Sequence, residues 1–519
     1  MDEFVEHPML RPGVLQSRLY QQKILGMAVN ENLLAVLPTG LGKTPIAIML
    51  AAHRLKILPD CKIMILAPTK PLTGQHFNSF RKFLNVDENE MQVVTGEVKP
   101  GERRSLYKTK KIIFATPQTI KNDLERGRIE LSDFSLLVVD EAHHSIGGYA
   151  YPYIAKKYID QAKNPRILAL TASPGATQEK IREICGNLGV QAVDIRTEQD
   201  SDVKPYVKHK DIEHASISLP PSFMEIKNMI NEVYQKKLGY LRKFGFTKPT
   251  RLISKKDLIA LQGEFMGKIR TGNRSAFAAL SIATQCIKLE HALGLLETQG
   301  IKPLLEYWDK LNSDKSRASK VISNDKKIRK AMELTKGLFE KGSKHPKISK
   351  LCSIVDTELS RNPESRIIIF ANYRSSVKEI VKSLSGIGSA KPVRFVGQKE
   401  GVTQKQQLET VKRFRDGEYN ILVATSIGEE GLDIPSANLA VFYEPVPSPL
   451  RSIQRRGRVG RASIGRVVML ITEGTRDEGY FWTSYHKEKS MKSILKGMRK
   501  DGETSASVIK RRKTLEDFC

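Results

Sequence analysis

Nine apolar runs, too short for helices and too continuous for half-exposed strands, constrain this 519-residue chain more than any other feature. Five fall in the first 200 residues: Leu33–Leu37, Lys62–Ala67, Lys111–Ala115, Leu136–Val139 and Ile167–Leu170. Four more follow: Arg366–Phe370, Ile421–Ala424, Leu439–Phe442 and Arg466–Ile471. Turn residues bound each run, and helix-like stretches separate them. Strands apolar on both faces belong in parallel sheets covered by helices. The pattern predicts two α/β, parallel-sheet domains, at residues 1–204 and 346–485.

Between them the rhythm changes. Phe223, Ile226, Ile230, Val233, Tyr234, Leu238 and Leu241 recur at helical spacing, and similar patterns run through 254–298 and 326–341. Residues 205–345 are expected to form a helical insertion, hinged at Pro220-Pro221 and around 342–346. The insertion is basic: 29 Lys and Arg stand against 14 Asp and Glu from Lys204 to Lys347, over half of the chain's net +28. That concentration points to a polyanionic partner. Residues 486–519 read as a basic tail of disordered composition.

No apolar run approaches the roughly 18–20 residues that span a bilayer, and the acidic N-terminus lacks a signal core. An intracellular protein with no membrane partner is expected, cytoplasmic and nucleoid-associated if archaeal. Five cysteines without a C-x-x-C pair suggest neither disulfides nor zinc.

Leu37, Pro38, Thr39, Gly40, Leu41, Gly42, Lys43 and Thr44 follow the first strand and open a helix. Such a turn aims backbone N–H groups at phosphate oxygens. Gly40 and Gly42 permit close approach, Lys43 reaches the β/γ-phosphates, and Thr44 ligates Mg2+. Leu37 replaces the first glycine of the strict phosphate-loop pattern. Asp140 and Glu141 end a buried strand, one placed to hold the metal and the other to polarise attacking water. His143 is expected to relay nucleotide state across a domain cleft, whereas His144 has no assigned task. In the second domain, Gln454, Arg458 and Arg461 share a helix face and are suited to stabilise phosphoryl-transfer charge. Arg455 or Arg456 is the candidate for touching nucleic acid instead. A nucleotide site split between two domains closes only when they meet, so hydrolysis can drive movement.

These motifs, in this order, resemble the superfamily 2 helicases over residues 14 to about 485. Phe395-Val-Gly-Gln398, Gln404-Lys-Gln-Gln407, Phe414-Arg-Asp-Gly417 and the run from Thr425 to Pro435 are similar to the group containing archaeal Hef, FANCM, Dicer and RIG-I-like helicases. Leu37–Thr44 and Ala67-Pro-Thr-Lys-Pro-Leu72 most resemble the Hef/FANCM branch of these DEAH-type enzymes. The resemblance implies two RecA-like motor domains with a thumb-like helical insertion, ATP and Mg2+ as cofactors, and branched DNA, such as stalled forks and four-way junctions, as substrate in fork repair. It implies Gln21 as adenine reader and Asp433 as a ribose or cleft contact. Thr69, Lys70, Thr116, Arg374, Gly397 and Thr425 become backbone contacts to nucleic acid, and Thr171 and Ser173 join His143 as coupling residues.

One departure stands out. No Glu-Arg-Lys-x-x-x-Asp nuclease signature is present, so a helicase-only form or a piece of a longer one is expected. Any XPF-like nuclease would come from a partner. Leu515 and Phe518 faintly resemble the anchors of a sliding-clamp-binding peptide. Two rival readings are a double-stranded-RNA-dependent ATPase of the RIG-I/Dicer type and an ATP-switched, junction-binding scaffold.

Overall fold

The computed structural model describes residues 4–500 apart from 176, 208–209, 247, 249–252, 398–401, 426–433, 436, 449–450, 452–454 and 456–464. Its first sheet places β3 (Met91–Val94), β4 (Ile112–Ala115), β2 (Lys62–Leu66), β5 (Phe134–Val139), β6 (Ile167–Thr171), β1 (Leu33–Val36) and β7 (Ala192–Ile195) side by side. All neighbours pair in parallel. Alternate residues of β1 serve opposite cores: Leu34 and Val36 one, Leu33 and Ala35 the other. Helices cover both faces: α1 (Leu19–Asn30), α2 (Lys43–Ile57), α3 (Lys70–Phe83), α4 (Pro100–Thr109), α5 (Pro117–Glu125), α6 (Tyr151–Gln161) and α7 (Gln178–Leu188).

The second sheet has the order β10 (Pro392–Phe395), β11 (Ile421–Ala424), β9 (Ile367–Phe370), β12 (Leu439–Phe442), β13 (Gly465–Thr472), β8 (Lys210–Ile217), again parallel throughout. Between β8 and β9 lies a helical bundle with its own apolar core. It comprises α8 (Pro221–Leu241), α9 (Lys255–Arg270), α10 (Ala276–Thr298), α11 (Ile301–Ser313), α12 (Arg317–Ser323) and α13 (Lys326–Glu340). The seven residues of helical spacing in the sequence are the buried stripe of α8. The second sheet is flanked by α14 (Pro346–Arg361), α15 (Arg374–Leu384) and α16 (Gln404–Arg415), and α17 (Arg476–Lys500) follows it.

Two expectations need correction. Residues 210–217 are not part of a helical segment: they run beside β13 in register from Lys210↔Gly465 to Ile217↔Thr472. Their charged sequence hides the strand because it lies at the sheet's edge. The basic tail does not begin at 486 as loose chain, since α17 continues through 500 and buries Met491 against the first domain's core. Residues 501–519, with the clamp-peptide anchors Leu515 and Phe518, lie outside the described residues.

Candidate nucleotide and nucleic-acid site

Sheet order sorts the candidate residues into two neighbouring groups. The C-terminal ends of β1, β6 and β5, adjacent in that order, carry Leu37, Thr171 and Asp140. Crevices at the carboxyl ends of parallel strands are where such folds bind ligands. The Leu37 N–H donates to the Thr171 carbonyl at 3.0 Å, and the Asp140 N–H to the Leu66 carbonyl at 2.9 Å. The first bond ties the end of β1 to β6, and the second ties the end of β5 to β2.

The loop after β1 turns through Gly40 and Gly42, with φ of 87° and 77°, and delivers Lys43 and Thr44 to the first turn of α2. Leu37 is fully buried, so the position that departs from the strict pattern is a core residue. Gln21 is buried against this loop, where its amide donates to the Leu41 and Gly42 carbonyls at 3.3 and 3.1 Å. The Tyr20 hydroxyl donates to the Leu41 carbonyl at 2.6 Å. Tyr20 and Gln21 therefore brace the loop backbone, a role the sequence did not suggest.

Beyond β5, Glu141 adopts φ 49° and ψ 52°, the one non-glycine residue of positive φ among the described residues. A side chain in this region costs on the order of 1 kcal/mol or more, and such strain gathers at functional sites. The turn aims Glu141 at Lys43, with Oε1 3.9 Å from Nζ, and at His143, with Oε2 3.3 Å from Nδ1. Burial opposes the charge on Glu141, but Lys43 and His143 outweigh it and hold the carboxyl below its ordinary range. An anionic Glu141 can orient water without taking up a proton at neutral pH. His143 Nδ1 also lies 3.2 Å from Thr171 Oγ1. That hydroxyl accepts the Ser173 N–H at 3.2 Å, and the Ser173 hydroxyl donates to Met491 Sδ of α17 at 3.2 Å. The three candidate coupling residues thus form one chain from Glu141 to the last helix.

Asp140 is held on all sides. Its Oδ1 accepts the Glu141 N–H at 3.0 Å, its carbonyl accepts the Tyr151 hydroxyl at 2.7 Å, and its Oδ2 lies 2.8 Å from His76 Nε2. Among the described residues, no three His, Cys, Asp or Glu side chains gather as a metal cage. One carboxylate and one hydroxyl, Asp140 and Thr44, suit a divalent ion that takes its remaining ligands from phosphates and water.

The second group lies on the other half of the first sheet. Thr69 and Thr116 follow β2 and β4, neighbouring strands, and are the N-caps of α3 and α5. Neither side chain caps a backbone N–H of its helix, and Thr116 Oγ1 lies instead 2.8 Å from Thr119 Oγ1 of the first turn. Two adjacent helix N-termini carry partial positive charge, which suits them to phosphate groups. Lys70 beside them forms an exposed 2.6 Å ion pair with Glu97. In the second sheet, Gly397, Thr425 and Arg374 follow β10, β11 and β9, again neighbours. Asp433, Gln454, Arg458 and Arg461 lie outside the described residues.

Of the two arginines expected to touch nucleic acid, Arg456 lies outside the described residues and Arg455 is too deeply buried for that contact. It is fully buried, with its guanidinium 5.2 and 5.7 Å from the ring centres of Phe370 and Phe442, and it donates to Asn372 Oδ1 at 2.8 Å. The two aromatic faces and the Asn372 oxygen draw the charge inward.

The DEAD/DEAH box helicase family matches residues 18–181, and the helicase conserved C-terminal domain matches 346–463. The family described as "Putative ATP-dependent RNA helicase, helical bundle" matches 222–339. A "Putative ATP-dependent RNA helicase" of Methanocaldococcus jannaschii is 43% identical over 95% of this chain and 63% of its own length. An "ATP-dependent DNA helicase mph1" of Neurospora crassa is 32% identical over 93% of this chain and 43% of its own. The chain therefore spans less than two thirds of either relative. The crystal structure of the Pyrococcus furiosus Hef helicase domain is similar with a TM-score of 0.75 and 44% identity, across 92% of this chain and all of that one. With two helicase domains flanking a helical bundle and a match along the whole of the Hef helicase domain, the chain belongs to the Hef/FANCM branch of the superfamily 2 helicases.

Proposed function

We propose that this chain is an ATP-dependent motor on branched DNA, acting at stalled forks and four-way junctions. The observation that carries the reading is the division of one sheet: nucleotide residues occupy the ends of β1, β6 and β5, and backbone-gripping residues the ends of β2 and β4. The first domain (1–204) holds ATP on the loop 37–44. Thr44 and Asp140 hold Mg2+, which screens phosphate charge when bound. Lys43 holds the outer phosphates, and Glu141 orients the attacking water. Arg458 and Arg461 of the second domain (346–485) complete the site when the domains close. Thr69, Lys70, Thr116, Arg374, Gly397 and Thr425 keep hold of one strand through its phosphates, and the basic insertion grips the duplex ahead.

DNA as the substrate draws support from the Neurospora relative's description as a DNA helicase. Double-stranded RNA is the second reading, favoured by the RNA helicase description of the Methanocaldococcus relative. ATP hydrolysis measured with matched DNA fork, four-way junction, duplex, single strand and duplex RNA separates them, with Lys43→Ala as the blank. Strongest stimulation by forked or four-way DNA supports the proposal. Strongest stimulation by duplex RNA overturns the substrate assignment and leaves the motor.

A further inference from the structure

The nucleotide half and the gripping half of the first sheet meet between β5 and β2, which are adjacent strands. One side chain bridges that boundary. His76, on α3, is only 4% exposed and places Nε2 2.8 Å from Asp140 Oδ2. Its other ring nitrogen, Nδ1, is buried without a hydrogen-bond partner among the described residues. The contact to Asp140 is thus the one hydrogen bond that orients the ring.

The same helix begins at the gripping residues. Thr69 is the N-cap of α3, and His76 lies seven positions further along. That spacing is two helical turns, about 10 Å along one face. Buried Thr73 lies between, its hydroxyl donating to the Thr69 carbonyl at 2.9 Å. Farther along, Phe80 packs edge-on against Phe114 of β4, with ring centres 5.2 Å apart. A helix seated in this way moves as a rod. A displacement at its N-terminal tip therefore reaches the imidazole, and through it the Asp140 carboxylate.

We propose that His76 is a positioning residue that couples strand grip at Thr69 and Lys70 to the Asp140 carboxylate of the nucleotide site. The inference rests on the proposed motor function. It predicts that nucleotide and DNA sense one another through this ring, and that the coupling is reciprocal. A purely structural histidine would alter stability and leave that coupling intact.

The test needs no turnover. Affinity of the full chain for a fluorescein-labelled single-stranded oligonucleotide is measured by anisotropy, with and without a non-hydrolysable ATP analogue and Mg2+. In the wild type the analogue is expected to change the DNA affinity by about 10-fold or more. His76→Ala should bring that ratio close to one while keeping the nucleotide-free affinity, because Thr69 and Lys70 are untouched. Should the alanine variant not fold, two amides give the same information. His76→Gln carries a nitrogen near the Nε2 position and should retain the ratio; His76→Asn stops short of Asp140 and should lose it. A wild-type ratio in His76→Ala, or equal ratios in the Gln and Asn variants, overturns the proposal. A wild type without any coupling removes the motor reading itself, and this inference with it.

Discussion

The Lys347 ammonium lies 2.5 Å from the Asp477 carboxylate, and both side chains are completely shielded from water. Lys347 sits in the first turn of α14 and also donates to the Tyr443 carbonyl at 2.8 Å. Asp477 begins α17 and accepts the Thr472 N–H at 3.1 Å. Removing one partner leaves the other charge stranded in the core, which costs about 3–5 kcal/mol. Lys347→Met should lower the stability of the second domain by that amount in urea unfolding. Pairing it with Asp477→Leu should recover most of the loss. A single-variant effect below about 1 kcal/mol would show that the pair is dispensable.

Next to this pair, Glu444 is 1% exposed and accepts the Asn372 N–H at 2.6 Å. Burial pushes its carboxyl up to about 7, against the pull of Lys347 and Arg455. Between its ordinary value and about 7, the folded chain holds a proton that the unfolded chain has released. Stability therefore falls as pH rises through that window, by about 3 kcal/mol for this group. Glu444→Gln cannot titrate. Its unfolding free energy, compared with wild type from pH 4.5 to 7.5, should diverge with wild type losing ground toward neutral pH.

A methyl group at position 42 would have to displace the Gln21 amide. A Cβ there would sit 2.4 Å from Gln21 Nε2, on a backbone whose φ of 77° already disfavours it. Gly42→Ala should push Gln21 off the loop and weaken nucleotide binding about 5- to 30-fold, given the 1–2 kcal/mol that the left-handed conformation alone costs. Titration with a fluorescent ATP analogue measures this. Gln21→Ala in the same background should relieve the clash and restore part of the affinity.

Arg374 begins α15 at the end of β9, in line with Thr425 and Gly397. If it neutralises one phosphate, Arg374→Ala should make the log–log salt dependence of single-strand affinity shallower by about 0.7. The loss should not depend on base sequence. An unchanged slope would remove Arg374 from the strand path.

The strands that the sequence made legible and those it concealed differ by position in the sheets. All nine apolar runs lie on observed strands, and each of those strands has a neighbour on both sides. The concealed strands are β3, β7, β10 and β8, which are the four sheet edges. Gln92, Asp194 and Arg394 interrupt the first three, and β8 carries Lys210, Asp211, Glu213 and His214. An edge strand has one free side, and charge there discourages unwanted pairing. The feature that protects the edge also erases its apolar signal.

The site divides in a similar way. Lys43, Asp140 and Glu141 were legible because phosphate chemistry dictates both residue type and order. His76 was not, since its partner is 64 residues away and a histidine on an amphipathic helix carries no local signature. Tyr20 and Gln21 act on loop carbonyls, and backbone acceptors leave no trace in side-chain pattern.

The edge strand β8 fixes which sheet the bundle belongs to. The chain joins the second sheet at Lys210 before it builds the bundle, and it returns to that same sheet at β9. Arg476 at the start of α17 then bolts the bundle down, with ion pairs to Glu290 at 2.8 Å and Glu297 at 3.4 Å. The bundle is therefore a limb of the second sheet. A pivot in the crossing segment between β7 and β8 would swing sheet and bundle together as one lever arm. In the proposed motor, a single closing stroke would then shut the nucleotide cleft and carry the basic limb forward.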